Sequence, residues 1–268
     1  MTDPLFDVAG RVAVVTGGMG QLGAEYVAGL AARGMRVAIF DVETELPAAV
    51  AALSTDAVRS FEVDVTDRSS IEQATEAVVA SWGVPHLLVN NAAIDAPPDA
   101  PAAEVGPFES YPEDSFDRVM DVNVKGVLLC CQVVGAQMAA AGRGSIVNVS
   151  SIYGMLSPVQ SLYEFRRAGG EEFVKPVAYS VSKSAILNLT RYLATYWAGS
   201  GVRVNTVTLA GVANDQPPEF VDAYTARIPV ARMAEAHEYL GVVVFLASDA
   251  SSYVTGANVV VDGGWSAW

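Results

Sequence analysis

The sequence is short of cysteine, histidine and positive charge, and each shortage removes a class of function. Only Cys130 and Cys131 occur among 268 residues, side by side in an apolar helical pattern. Such a pair fits buried thiols in a reducing compartment such as the cytoplasm, and neither a disulfide framework nor a metal site. The two histidines, His86 and His237, fall far apart in the pattern, so no zinc cluster can be built from them. Lys plus Arg number 16 against 30 acids, a net charge of −14, with no basic cluster as a local exception. That balance disfavours nucleic acid or any other polyanion as a partner. Apolar stretches are strand-sized, so no membrane span is expected. The start, Met1 to Asp7, has neither a basic region nor a long apolar run, and no signal peptide is read there.

What is present is a chain that is 51% hydrophobic, enough for one large core in a single α/β domain over 1–268. Val12 to Val15 reads as a buried strand, Thr16 to Gly23 as a tight glycine turn, Ala24 to Arg33 as a helix, and Arg36 to Phe40 as a second strand ending at Asp41. Glycines let a phosphate approach main-chain N–H groups, and the helix that follows begins with unpaired donors aimed at the same place. An acid 18 residues after Gly23, at the tip of the next strand, is placed to accept from an adenosine ribose. Strand, turn, helix, strand and acid in that order indicate a dinucleotide site.

The alternation continues. Expected elements are a helix over 43–53, a strand over 58–63 and a helix over 69–82 capped by Thr66 or Asp67. A strand over 86–89, a surface loop over 94–112 and one long helix over 113–141 follow. After them come a strand over 144–149, a helix from Pro176 to about Gly199, a strand over 202–209, a helix over 234–247 and a strand over 258–261. Near-continuous apolar strands alternating with helices predict a doubly wound, Rossmann-type fold, a seven-stranded parallel sheet covered on both faces. Ligands then bind outside the carboxyl ends of the strands, where Asp64, Asn90, Asn91, Ser150 and Ser151 fall. Asp64, with Val65 beside it, suits an adenine amino group, and the Asn90–Ala92 backbone suits the adenosine ribose. Tyr179 and Lys183 are four apart on one helix, roughly 6 Å along its axis. A lysine ammonium beside a phenol favours phenolate, as acid–base work requires. Tyr192 and Tyr196 have no such partner and read as packing residues.

These motifs resemble those of the short-chain dehydrogenase/reductase family, single-domain type, over essentially the whole chain. Thr16-Gly17 through Gly23 is similar to the family's cofactor turn, Asn90-Asn91-Ala92 to its next motif, and Asn123 to its helix-borne asparagine. Ser151, Tyr179 and Lys183 fall on its catalytic residues. The resemblance implies hydride transfer between a nicotinamide and an alcohol/ketone pair, with Tyr179 as acid–base and Ser151 holding the carbonyl oxygen. Lys183 would bind the nicotinamide ribose, and Asn123 would fix a water linking Lys183 to solvent. Gly17, Met19, Gln21, Leu22, Gly23, Asp41, Asp64, Val65, Asn90, Asn91, Ala92, Tyr179, Lys183 and Val212 would meet the cofactor.

The chain departs from the family pattern in three places. Gln21 replaces a glycine, so the turn is wider or the side chain makes a contact of its own. Leu209-Ala210 replaces a Pro-Gly, which leaves the loop before Val212 without proline's rigidity. Ser151 and Tyr179 are 28 positions apart, about twice the usual gap. The extra residues, about 156–175, are expected to rim the substrate pocket. Trp265 and Trp268 are expected to cover the core or a subunit contact.

The charged insertion, together with a likeness to the gluconate-5-dehydrogenase-like, carbohydrate-modifying branch, favours a polar substrate: a sugar, sugar acid or polyol. A reductase of 3-oxoacyl thioesters or apolar ketones, and a nucleotide-binding scaffold without turnover, are the alternatives. Asp41 with no cation near it predicts NAD rather than NADP, since Arg33 and Arg36 flank the far end of the strand and face solvent. The helices carrying Cys130–Val134 and Leu187–Trp197 look apolar on more than the sheet-facing side. A homotetramer is expected, with a dimer as the fallback.

Overall fold

The computed structural model describes residues 3–53, 56–96 and 100–268. Met1, Thr2 and residues 97–99 of the expected 94–112 loop therefore lie outside the described residues. Seven strands form one sheet: β1 (Val12–Thr16), β2 (Arg36–Asp41), β3 (Val58–Glu62), β4 (Leu87–Asn90), β5 (Gly144–Ser151), β6 (Val202–Leu209) and β7 (Asn258–Val261). Their order is β3-β2-β1-β4-β5-β6-β7 and every pairing is parallel. The order reverses between β1 and β4, so a crevice opens at their carboxyl ends. At the opposite end the Val12 N–H donates to His86 Nδ1 at 3.1 Å, and burial with Arg143 and Arg11 nearby lowers His86 to about 4.

Six helices matter to the site: α1 (Gln21–Ala31), α2 (Arg68–Trp82), α3 (Glu113–Ala140), α4 (Val177–Trp197), α5 (Pro218–Thr225) and α6 (Leu240–Ala247). One core lies between the sheet and α2, α3 and α4, and includes Phe40, Leu88, Cys131, Ile146 and Trp197. The other lies under α1 and α6, and includes Val15, Leu30, Ile39 and Val243. At roughly 1.5–3 kcal/mol for each large apolar side chain removed from water, these two layers dominate stability.

Several expectations need correction. The helix expected over 43–53 shrinks to Ala48–Ala51, because Pro47 holds an extended conformation before it. The 94–112 segment is more than a surface loop. It holds a helical turn at Ala102–Val105, whose buried Glu104 accepts from Ser115 at 2.8 Å and from Arg118 at 2.9 Å. Pro176 sits before α4 as its cap rather than inside it. The expected 234–247 helix begins as a 3₁₀ turn at Ala236, and α5 was not anticipated. Asp67, the second of two candidates, caps α2 by accepting from Ser69 N.

α3 is continuous but carries π-helical turns at Asp121–Gly126 and Cys131–Gly135. It is long and apolar enough to cross a membrane by length and composition, contrary to the reading that apolar stretches are strand-sized. Its Cys130, Cys131, Val134 and Met138 are packed in the core beside the sheet. Tyr192 and Tyr196, expected to pack, are 62% and 66% exposed and stack on each other at 6.0 Å.

Candidate active site

The glycine turn is built by close approach. Gly17 has a φ of +63°, and a Cβ there would meet Ala92 Cα at 2.8 Å. A Cβ on Gly23 would lie 2.0 Å from the Gly17 carbonyl oxygen, so α1 can rest on the turn only without a side chain. Thr16 Oγ1 accepts from the N–H groups of Asn91 and Ala92, each at 3.0 Å. Asn91 Nδ2 donates back to the Gly17 carbonyl at 2.9 Å, which locks the end of β4 to the turn. The residue before α1 is Gly20, with no side-chain cap, so the first-turn N–H groups remain available to an anion.

Around this turn runs a groove of about 520 Å³ lined by Gly17, Met19, Gln21, Leu22, Asp41, Asp64, Val65, Asn91 and Ala92, all expected at the cofactor. Gly23, Asn90, Tyr179, Lys183 and Val212, also expected at the cofactor, are not in it. Gly23 lies beneath the turn, and Asn90 is turned into the core, where Nδ2 donates to Asn148 Oδ1 at 2.8 Å. Asp41 Oδ2 accepts from Met19 N at 2.9 Å and Oδ1 from Glu43 N at 3.1 Å. Asp41, Glu43 and Asp64 line the groove, and no lysine or arginine among the described residues does. Arg33 and Arg36 are exposed, as expected. These features fit an adenine dinucleotide: donors for the pyrophosphate and a carboxylate for the ribose.

A second cavity, of about 320 Å³, adjoins the groove at Leu22 and is lined by Ser151, Tyr179 and Val212 among others. Ser151 ends β5 and Tyr179 lies in the first turn of α4, so the parallel sheet and the helix packed on it bring them together. Ser150 is structural, its hydroxyl donating to the Lys183 carbonyl at 2.9 Å. Lys183 lines neither cavity. It lies behind Tyr179, only 4% exposed, with Nζ donating to the Val149 carbonyl at 3.0 Å.

Burial, and then the carboxylate of Asp95, push the Tyr179 phenol above the ordinary tyrosine value, while a hydrogen bond with Ser151 pulls it down. The expected lowering by Lys183 is not what this site displays. The ammonium is 5.7 Å from the ring centroid, and burial brings its own pKa down to about 8, with Asp95 opposing. Asn123 is fully buried in the first π-helical turn of α3, accepting from Ile94 N at 2.8 Å and donating to Ile94 O and Ser182 Oγ. Both its amide protons are thus committed, while its side-chain oxygen, accepting one bond, keeps a second lone pair.

The two loop departures are compensated. Gln21 makes a contact of its own, Nε2 donating to the Ala213 carbonyl at 2.8 Å, so turn and loop are tied together. The loop without proline is held by Tyr239 OH on Ala210 O, Gly211 N on Tyr224 OH at 2.7 Å, and Gln216 Nε2 on Val212 O at 2.7 Å. The insertion packs as well as rims. Leu162 is buried with Ile152, Tyr224, Ile228, Met233 and Trp265 in a small core above the sheet edge, as expected for Trp265, whereas Trp268 is 80% exposed. Tyr163 and Lys175 carry the insertion into the cavity wall.

Sequence reasoning missed Asp95, Tyr224 and Gln216 in that wall. Pro217-Pro218 before Phe220, Val221 and Tyr224 was a readable helix start for α5. Asp95 had no comparable signal.

A sequence profile described as short chain dehydrogenase matches residues 11–221. The chain is 35% identical to a D-threitol dehydrogenase of Mycolicibacterium smegmatis over 97% of this chain and 95% of that protein. A Leptospira borgpetersenii short chain dehydrogenase with bound NAD+ superposes with a TM-score of 0.85 at 28% identity, covering 99% of this chain and 96% of that one. A Burkholderia cenocepacia gluconate 5-dehydrogenase in complex with NADP and tartrate gives 0.84 at 26% identity, covering 99% and 98%. With the profile spanning most of the chain and the sheet order, glycine turn and Ser151–Tyr179 cavity agreeing with it, the chain belongs to the short-chain dehydrogenase family.

Proposed function

We propose that the protein is an NAD-dependent dehydrogenase that interconverts a secondary alcohol and a ketone on a small polar substrate, with Ser151, Tyr179, Lys183 and Asn123 as its working residues. The observation that carries this reading is one cavity holding Ser151 and Tyr179 together, joined at Leu22 to an acidic groove fit for a dinucleotide. Bound there, the nicotinamide would give or take the hydride. Ser151 would hold the carbonyl oxygen by hydrogen bonding. Tyr179 would donate its hydroxyl proton to that oxygen in reduction and accept the alcohol proton in oxidation. Lys183, behind Tyr179, would hold the nicotinamide ribose and favour the phenolate once both groups are drawn together. Asn123 would act as a positioning residue, fixing the Ile94 backbone against Ser182 of α4.

A cavity of about 320 Å³ that also receives the nicotinamide favours a small substrate, given that a liquid-packed water alone takes about 30 Å³. D-threitol, the substrate in the name of one relative, is of that size. Tyr153, Phe220, Tyr224 and Met233 in the same wall favour, as a second reading, reduction of an apolar ketone. For assembly, the reading is a homotetramer.

The cofactor choice is tested by kcat/KM for NAD+ and NADP+ at a saturating polyol. A 2′-phosphate brings roughly two negative charges toward Asp41 and its acidic neighbours. NAD+ is expected to be preferred by at least about tenfold, near 1.4 kcal/mol. Equal or better use of NADP+ overturns the preference.

A further inference from the structure

The insertion is rich in charge, yet most of that charge is spent inside it. Arg166 Nε donates to Glu171 at 2.8 Å, with its guanidinium 4.0 Å from the Phe173 ring centroid. Arg167 holds Glu164 at 2.8 Å and the Phe173 and Gln160 carbonyls at 2.9 and 2.7 Å. Lys175 instead reaches the cavity wall, where it forms an ion pair with Asp95, on the loop after β4. Its Nζ is 5.5 Å from the Tyr179 ring centroid. The pair is partly open, with 12% of the Lys175 side chain and 33% of the Asp95 side chain accessible. Among the described residues lining this cavity they are the only charged ones.

The pair has no net charge, and that decides what it can recognise. A carboxylate entering beside Tyr179 would need a cation, but the charge of Lys175 is already compensated. It would also meet Asp95 as a like charge in a partly closed site. An uncharged hydroxyl fits without disturbing the pair, donating to the Asp95 carboxylate and accepting from the Lys175 ammonium. Gln216, in the same wall, adds a further polar contact.

We propose that Asp95 and Lys175 together read a hydroxyl flanking the reacting carbon and select uncharged polyols over hydroxy acids. This rests on the dehydrogenase reading and narrows its substrate class. It also gives the last residue of the insertion, Lys175, a task.

The test is kcat/KM of D-threitol against D-threonate, which differ in charge at one end, with cyclohexanol as a substrate lacking the flanking hydroxyl. The unmutated protein is expected to favour threitol by at least about tenfold. Asp95→Asn removes the like charge and frees Lys175, so the threitol-to-threonate ratio should fall by about tenfold or more. Lys175→Gln should leave threonate at least as poor as in the parent. If the pair is only a strut between insertion and loop, each variant changes both substrates by the same factor, and that result overturns the proposal. A parent that prefers threonate overturns it too, even if both variants fail to fold. Turnover of cyclohexanol without that threitol preference sinks this inference and spares the dehydrogenase reading. If no alcohol is turned over, the dehydrogenase reading fails instead. The selectivity is then read by calorimetry of threitol and threonate on the protein–NAD+ complex, where equal or absent binding overturns it.

Discussion

Lys183 holds a position that works against stability. Its side chain is buried, and its pKa falls from 10.5 to about 8, chiefly through that burial. Between those values the unfolded chain keeps a proton that the folded chain has released, so stability rises with pH across that window. Below about pH 8 the fold carries a buried ammonium, at a cost on the order of 3 kcal/mol. Lys183→Met should therefore raise Tm at pH 7 by roughly 5 °C. The difference from the parent should shrink as pH climbs toward 10.5, as scanning calorimetry across that range can check. An unchanged or lower Tm at pH 7 would contradict this reading of the burial. That Tyr179 and Lys183 share a helix face was legible from their four-residue spacing, and the family resemblance singled the pair out. Asp95 was not legible: its partner Lys175 is 80 positions away, and only the folded loop and insertion bring them together. The direction of the Tyr179 shift was misread for a related reason, since the four-residue spacing does not reveal that Lys183 Nζ turns to the Val149 carbonyl.

Among the elements, the strands were read well and the connections less so. A parallel strand buried on both faces is a continuous apolar run, and β1, buried at all five positions, announces itself that way. The 43–53 segment failed because Pro47 outweighs the helix formers around it. The π-helical turns of α3 leave no mark in an apolar pattern. One of them carries Asn123, the proposed positioning residue, and such turns often sit at functional sites. Of the residues first singled out as a second apolar face, Cys130, Cys131, Val134, Leu193 and Trp197 belong to the core beneath the helices, while Val133, Leu187 and Leu189 are half-buried. The case for assembly rests on different residues: α3 and α4 leave Leu128, Val181, Tyr192 and Tyr196 between 37% and 66% exposed. Large apolar groups left open on core helices fit the proposed contact surface. Light scattering at micromolar concentration should give four times the 28.1 kDa chain mass, and a mass near 28.1 kDa would refute association altogether.

At the scale of the whole molecule, the sheet order puts function at one edge. The reversal between β1 and β4 opens the groove, β5 delivers Ser151, and α4 lays Tyr179 across the same edge. That edge is acidic at Asp41, Glu43 and Asp64, in a chain of net charge −14, and this is the basis of the proposed preference for a dinucleotide without a 2′-phosphate. The architecture was legible because alternation and strand-tip chemistry survive in one dimension. The cavity wall was not, because it is assembled from the 94–96 loop, the insertion, α5 and the loop after β6, segments far apart in the chain. The most direct measurement is steady-state NADH formation by Tyr179→Phe, paired with calorimetry of NAD+ binding to the same protein. The variant keeps the ring and removes only the hydroxyl proposed to move the proton. Turnover is predicted to fall about 10²–10⁴-fold while NAD+ affinity stays close to the parent's. A rate within about tenfold of the parent would contradict the assignment of the acid–base group.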